Sequence, residues 1–130
     1  VVRIGHVVTK VREAVQNALG YSRSASELHS AVESLEAAGV LAESIHVDQA
    51  SLIANTNIVE IARVQASARL ALVSAQSALA REESRGCHHR SDFTESSEDH
   101  LHHYTVNQVG EVNTLALRKG KTGNWILPPQ

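Results

Sequence analysis

Apolar residues recur at helical spacing through most of this chain. Val8, Val11, Val15, Ala18 and Leu19 mark a first helix, with Thr9 as its expected cap and Gly20, in a left-handed conformation, as its expected stop. Ser24 followed by Glu27 is a capping-box pattern for a second helix. Leu28, Ala31, Val32 and Leu35 form its inner face, and Gly39 is its expected end. Residues 40–51 read as a short helical turn or an irregular connection. Asn57 with Glu60 predicts the start of a third helix running to Ser84. That is about 28 residues, or roughly 42 Å at 1.5 Å per residue. Ile58, Ile61, Ala68, Leu72, Ala75 and Leu79 make one stripe, which Val64, Ala71 and Ala78 widen. A helix apolar over so much of its girth belongs at a bundle centre. Gly86 is its expected stop.

The pattern then changes. Residues 1–5 read as a lead-in, and residues 91–99 are polar and acidic, a surface loop. Alternation at 104–109 and 112–117 predicts two strands, with Gly110-Glu111 as a type II′ turn between them. Residues 119–124 read as a further turn, and Trp125, Ile126 and Leu127 as an apolar anchor. The predicted fold is mainly α. It is an antiparallel helical bundle, three helices around a long central helix over about 6–90, then the loop at 91–99 and a small C-terminal β-hairpin and tail over 100–130. Residues 1–130 form one domain.

Composition narrows the picture. Apolar residues are 42% but aromatics only 3%, so the core is Ala, Val, Leu and Ile. The net charge of −2 comes without a basic stripe, which argues against nucleic-acid binding. No apolar run approaches the roughly 18 residues a membrane helix needs, and no signal-peptide pattern is present. Cys87 is the sole cysteine, so no internal disulfide forms and a reducing compartment is expected. The chain starts with Val, not Met, which fits a domain excised from a larger protein.

Candidate chemistry gathers at residues 81–93, R-E-E-S-R-G-C-H-H-R-S-D-F. The plainest reading is a solvated salt-bridge patch at a helix end. The apolar helix leading in, and the planar forks of the arginines, favour a built contact instead. Metal binding is the rival: Cys87, His88, His89, His100, His102 and His103 lie close in sequence, and thiolate and imidazole suit zinc. Yet no CxxC or HExxH spacing occurs, so no metal ligand is expected. Cys87 lacks an identifiable oxyanion site for nucleophilic work, and Ser84 lacks a nucleophile elbow. No GxGxxG or GxxxxGK[ST] would cradle a nucleotide.

The block Arg81, Glu83, Ser84, Arg85, Gly86, His88, Arg90 and Asp92 resembles the R-x-E-S-R-G-x-H-x-R-x-D signature of the C-terminal helical domain of the succinate dehydrogenase and fumarate reductase flavoprotein family. Asn55-Thr56-Asn57 before the long helix, and His103 before the Gly110 turn, are similar to the family as well. Thr94 departs from the family's proline. Cys87 departs from the usual alanine and looks more like the L-aspartate oxidase branch. The resemblance implies a parent enzyme with an FAD-binding domain, a mobile capping domain and this helical domain. It places the flavin and substrate residues elsewhere, so no catalytic, cofactor-binding or metal residue is expected here. It implies interdomain docking by Arg81, Glu83, Ser84, Arg85, Gly86, His88, Arg90 and Asp92: Arg85 and Arg90 through bidentate bonds, Gly86 through a tight reversal, His88 through backbone across the seam. For L-aspartate oxidase the parent reaction is aspartate to iminoaspartate, feeding NAD biosynthesis. The alternative is succinate or fumarate chemistry beside an iron–sulfur subunit. Either implies a cytoplasmic protein, peripheral at the inner membrane face if respiratory. Readings of another class are a stand-alone helical interaction module and a small zinc-binding protein.

Overall fold

The computed structural model describes residues 1–47, 51, 53–119 and 125–126, with only the backbone for 118–119 and 125–126. Three helices come first: α1 (Ile4–Ala18), α2 (Ala25–Glu43) and α3 (Thr56–Ala80). A 3-10 turn at Glu98–His100 leads into strands β1 (His102–Val106) and β2 (Val112–Ala116), with β3 (Arg118–Lys119) and β4 (Trp125–Ile126) after them.

All three helices pack on one another, and β1 lies against α3. Two short parallel bridges fix the helix directions. Val2 pairs with Ile45, so the start of α1 lies beside the end of α2. Arg23 pairs with Arg90, so the start of α2 lies beside the exit of α3. Successive helices are therefore antiparallel, as the pattern predicts. Val7, Ala18, Leu28, Leu35, Ala38, Ala68 and Ala75 are essentially sealed from solvent. The alanines let backbones approach closely, as an aromatic-poor composition requires. α3 keeps an open flank, with Leu70 68% and Val59 52% exposed. No helix among the described residues is long and apolar enough to cross a membrane.

Several predicted boundaries move. Thr9 does not cap α1. It lies inside the helix, where its hydroxyl donates back to Gly5 O at 2.9 Å, and the cap position is Arg3. The earlier start is favoured by fully buried Val7 and by the Val2–Ile45 bridge. Gly20 follows the end of α1 without a positive φ. Gly39 does not stop α2, which continues to Glu43. Mid-helix glycine costs about 1 kcal/mol, and burying Ala38, Leu41 and Ala42 beside it outweighs that. Ser24 caps α2 as expected: its Oγ accepts from Glu27 N at 3.4 Å, and it donates to the Glu27 carboxylate at 2.9 Å. At α3 the cap is Asn55, which accepts from Asn57 N at 3.1 Å, two residues before the expected position.

The α3 helix ends at Ala80, short of Ser84, and Gly86 is not its stop. Gly86, at φ +59°, instead heads the Arg85–His88 turn, whose end residues exchange backbone bonds at 2.8 and 3.0 Å. A positive φ at the first central position alone is the type II′ pattern. The hairpin connection is also longer than expected. Val106 pairs with Val112, and Asn107 N donates to Glu111 O at 3.0 Å, which leaves residues 108–110 as the loop. Asn107 O accepts from Gly110 N at 3.1 Å, and Gly110 takes φ +86°. This is a three-residue loop with a left-handed glycine at its end, not a two-residue II′ turn. β3 and β4 pair antiparallel. Of the turn expected at 119–124, residues 120–124 lie outside the described residues, as do Leu127 and residues 48–50 and 52.

Candidate functional site

The segment leaving α3 folds back over the ends of two helices, and every residue of the signature block takes part. Helix termini leave carbonyls without intrahelical partners. At α3 the Arg90 guanidinium supplies them. Its Nη1 donates to Ala78 O and Leu79 O, both at 3.1 Å, and to Arg81 O at 3.3 Å. Its Nε and Nη2 form a bidentate pair with Asp92 at 2.7 and 2.8 Å. The Arg90 side chain is 1% exposed and stacks near the Phe93 ring, 5.0 Å from the centroid. Asp92 Oδ2 then accepts from Ala25 N at 3.0 Å, in the first turn of α2. One arginine–aspartate pair thus caps the C-terminus of α3 and the N-terminus of α2 together, each with the charge its dipole favours.

Glu83 is the second hub and is fully buried. It accepts from Arg81 Nη1, from Arg85 Nε at 3.1 Å and from Ser97 N at 2.8 Å. Arg81 carries the hairpin: its guanidinium also donates to His100 O and His102 O and lies 4.8 Å from the Tyr104 ring centre. Arg85 Nη2 reaches Ser97 O at 3.2 Å, so Arg85 pins the acidic loop. Ser84 Oγ donates to Phe93 O at 2.7 Å and accepts from Arg90 N at 2.9 Å, closing the loop on itself.

Charge follows this wiring. Burial pushes the Glu83 carboxyl up, but donors from Arg85, Ser97 N and Arg81 outweigh it and hold the group at about 2. The Arg90 fork holds Asp92 well below the usual carboxylate range against a smaller effect of burial, with Ala25 N assisting. Both carboxylates are therefore ionised at any pH near neutrality.

His88 is buried, with both ring nitrogens engaged: Nε2 with Arg81 O at 3.0 Å and Nδ1 with Arg23 Nη1 at 3.1 Å. The expected backbone bond of His88 is thus made within this chain, and the bidentate partner of Arg90 is Asp92. Glu83, His88 and Arg90 spend their hydrogen bonds inside the domain. Arg85 is half-buried, while Gly86 and Cys87 are exposed at the tip of the turn. Sequence reading missed Arg23, Ala25 and Tyr104. Arg23 and Ala25 flank the Ser24 cap, yet their partners lie more than sixty positions away, beyond the reach of any local pattern.

The histidines do not form a metal cage. Among the described residues no three His, Cys, Asp or Glu side chains converge. The His100 and His102 rings sit 6.0 Å apart, and His100 Nδ1 engages the Tyr104 hydroxyl. His102 packs edge-on against Tyr104 at 4.7 Å, where its Nε2 is buried without a hydrogen-bond partner.

Known proteins resemble this chain in sequence and fold. A family model described as fumarate reductase flavoprotein C-term matches residues 8–129. The chain is 28% identical over 104 residues to the fumarate reductase flavoprotein subunit of Mycobacterium tuberculosis, covering 80% of this chain and 18% of that subunit. It is 32% identical over 88 residues to the succinate dehydrogenase flavoprotein subunit of Rickettsia conorii, covering 63% of this chain and 15% of that one. The fold matches the E. coli quinol fumarate reductase FrdA chain with a TM-score of 0.78 at 20% identity, over 86% of this chain and 20% of that one. It matches the Mycobacterium smegmatis Sdh1 complex with a TM-score of 0.69 at 17% identity, over 87% of this chain and 20% of that one. The chain thus spans about a fifth or less of each of these relatives. With its signature block folded into one latch and the family match running almost end to end, this chain belongs to the fumarate reductase flavoprotein C-terminal family.

Proposed function

We propose that the chain is the non-catalytic docking domain of an FAD-dependent dicarboxylate oxidoreductase, acting on succinate or fumarate. The family match over residues 8–129 carries this reading, together with relatives named as fumarate reductase and succinate dehydrogenase flavoprotein subunits. The domain's part is mechanical. The Arg90–Asp92 and Glu83 hubs hold the helix ends and the hairpin in one rigid piece. The turn presenting Arg85, Gly86 and Cys87, and the open flank of α3, then meet the FAD-binding and capping domains of the parent. Flavin and substrate chemistry belong to those domains. An iron–sulfur subunit is the further partner, with the assembly peripheral at the inner membrane face.

One residue favours a second reading. Cys87, in Gly86-Cys87-His88, looks more like L-aspartate oxidase, whose parent would convert aspartate to iminoaspartate in NAD biosynthesis, in the cytoplasm. Purifying the full-length parent and measuring flavin content and turnover separates the two. Bound FAD with succinate–fumarate turnover and none on aspartate supports the first reading. Turnover on aspartate replaces it with the second. A parent without flavin ends both.

A further inference from the structure

The hydrogen bonds of His88 fix its protonation state. Nε2 faces the carbonyl of Arg81 and must carry the proton, because a carbonyl only accepts. Nδ1 must then be bare, because it faces a guanidinium that only donates. The ring is neutral, in one tautomer, wedged between the end of α3 and the α1–α2 connection. Around it stand Arg23 from that connection, Arg81 and Arg90 from the exit of α3, and His103 and Tyr104 from β1, which line the same cleft. From α3 itself Ser77 and Ser74 line it, and both are uncharged. No carboxylate bonds to the ring: Glu83 is engaged by Arg81, Arg85 and Ser97 N, and Asp92 by Arg90 and Ala25 N.

We propose that His88 is an acid-operated latch: a proton on Nδ1 expels the Arg23 guanidinium and loosens the seam between the α1–α2 connection and the Arg85–Arg90 turn. With a proton there, two donors face each other at 3.1 Å and two positive charges share a partly buried site. Arg23 is also the backbone of the seam. Its N–H donates to His89 O and its carbonyl accepts from Ser91 N, both at 2.9 Å. Exposed Tyr21, stacked 5.8 Å from the His89 ring, rides on the same connection. Burial, added to the charges of Arg23, Arg90 and Arg81, lowers the pKa of His88 against the favourable bond to Arg81 O, so the latch stays closed at neutral pH. The inference concerns this chain alone and does not depend on the parent's substrate.

The test is a histidine NMR titration of the chain from pH 8 to pH 5, with amide hydrogen exchange at each step. At pH 8 His88 should be the Nε2–H tautomer. Its midpoint should lie below the ordinary histidine value of about 6.5. Protection of the Arg23 and Ser91 amides should fall about tenfold in step with that midpoint, while Leu35 in the core of α2 holds. Arg23→Gln should raise the midpoint. If acid melts the whole domain first, His88→Gln should blunt that acid loss of Tm. An Nδ1–H tautomer, protection unchanged through the midpoint, a midpoint unmoved by Arg23→Gln, or equal acid loss in His88→Gln overturns the proposal.

Discussion

Arg90 offers the sharpest test of how the domain is held. Its side chain is almost wholly buried and bonds three carbonyls at the end of α3 plus both oxygens of Asp92. Arg90→Ala removes all of these at once. Removing one partner of a buried ion pair costs about 3–5 kcal/mol. Asp92 is 31% exposed and can recruit water, which moves the expectation to the middle of that range, about 4 kcal/mol. The freed carbonyls keep it from falling lower, since each charge-assisted bond contributes about 1.5–3 kcal/mol and one Nη1 serves three acceptors. A domain with total stability of about 5–15 kcal/mol loses a large share. For this length the melting point should drop by roughly 10–15 °C. Arg90→Lys keeps the charge but loses the fork, so about half the loss is expected, near 2 kcal/mol. Urea or thermal unfolding followed by circular dichroism measures both, and a double-mutant cycle with Asp92→Ala should give a coupling of about 2 kcal/mol. An Arg90→Ala chain melting within about 3 °C of the parent would refute the reasoning, because it would mean water serves these helix ends equally well.

Acid should act through Glu83 as well. Its folded pKa, about 2, lies below the unfolded value near 4.5, so the folded state binds fewer protons in between. Its stabilisation is complete above about pH 4.5 and is lost as pH falls towards 2; Glu83→Gln should be less stable at neutral pH and show a flatter acid limb in a Tm-against-pH series. Ser24→Ala should cost about 1 kcal/mol in urea denaturation, as loss of an N-cap does. Gly86→Ala should cost about 1–2 kcal/mol from backbone strain alone, since φ is +59° and nothing lies within 4 Å of an added Cβ; Gly86→Asn, which tolerates that region better, should recover part of it.

What the sequence reveals divides by range. The Ser24 cap is legible because its partner is three residues away, and the hairpin because alternation is local. Thr9 and Gly39 mislead for one reason. Each has a local preference for helix ends, and each is overruled by burial of its neighbours, Val7 and Ala38, in the shared core. The end of α3 misleads differently. Its carbonyls are capped by a guanidinium 9 to 12 positions further on, so no residue at Ala80 announces the stop. The signature block marks residues that the fold brings into one network, but not their division of labour. That Glu83, His88 and Arg90 turn inward follows from Ser97, Arg23 and Ala25, which only the folded chain brings to them.

The docking role is tested most directly by titrating the 130-residue chain into the separately produced FAD-binding and capping portion of the parent flavoprotein, in a calorimeter. The account predicts saturable one-to-one association, accompanied by protection of the Arg85–His88 turn and the exposed α3 flank from hydrogen exchange. Absence of association while both pieces are folded, or protection confined to some other face, would contradict it.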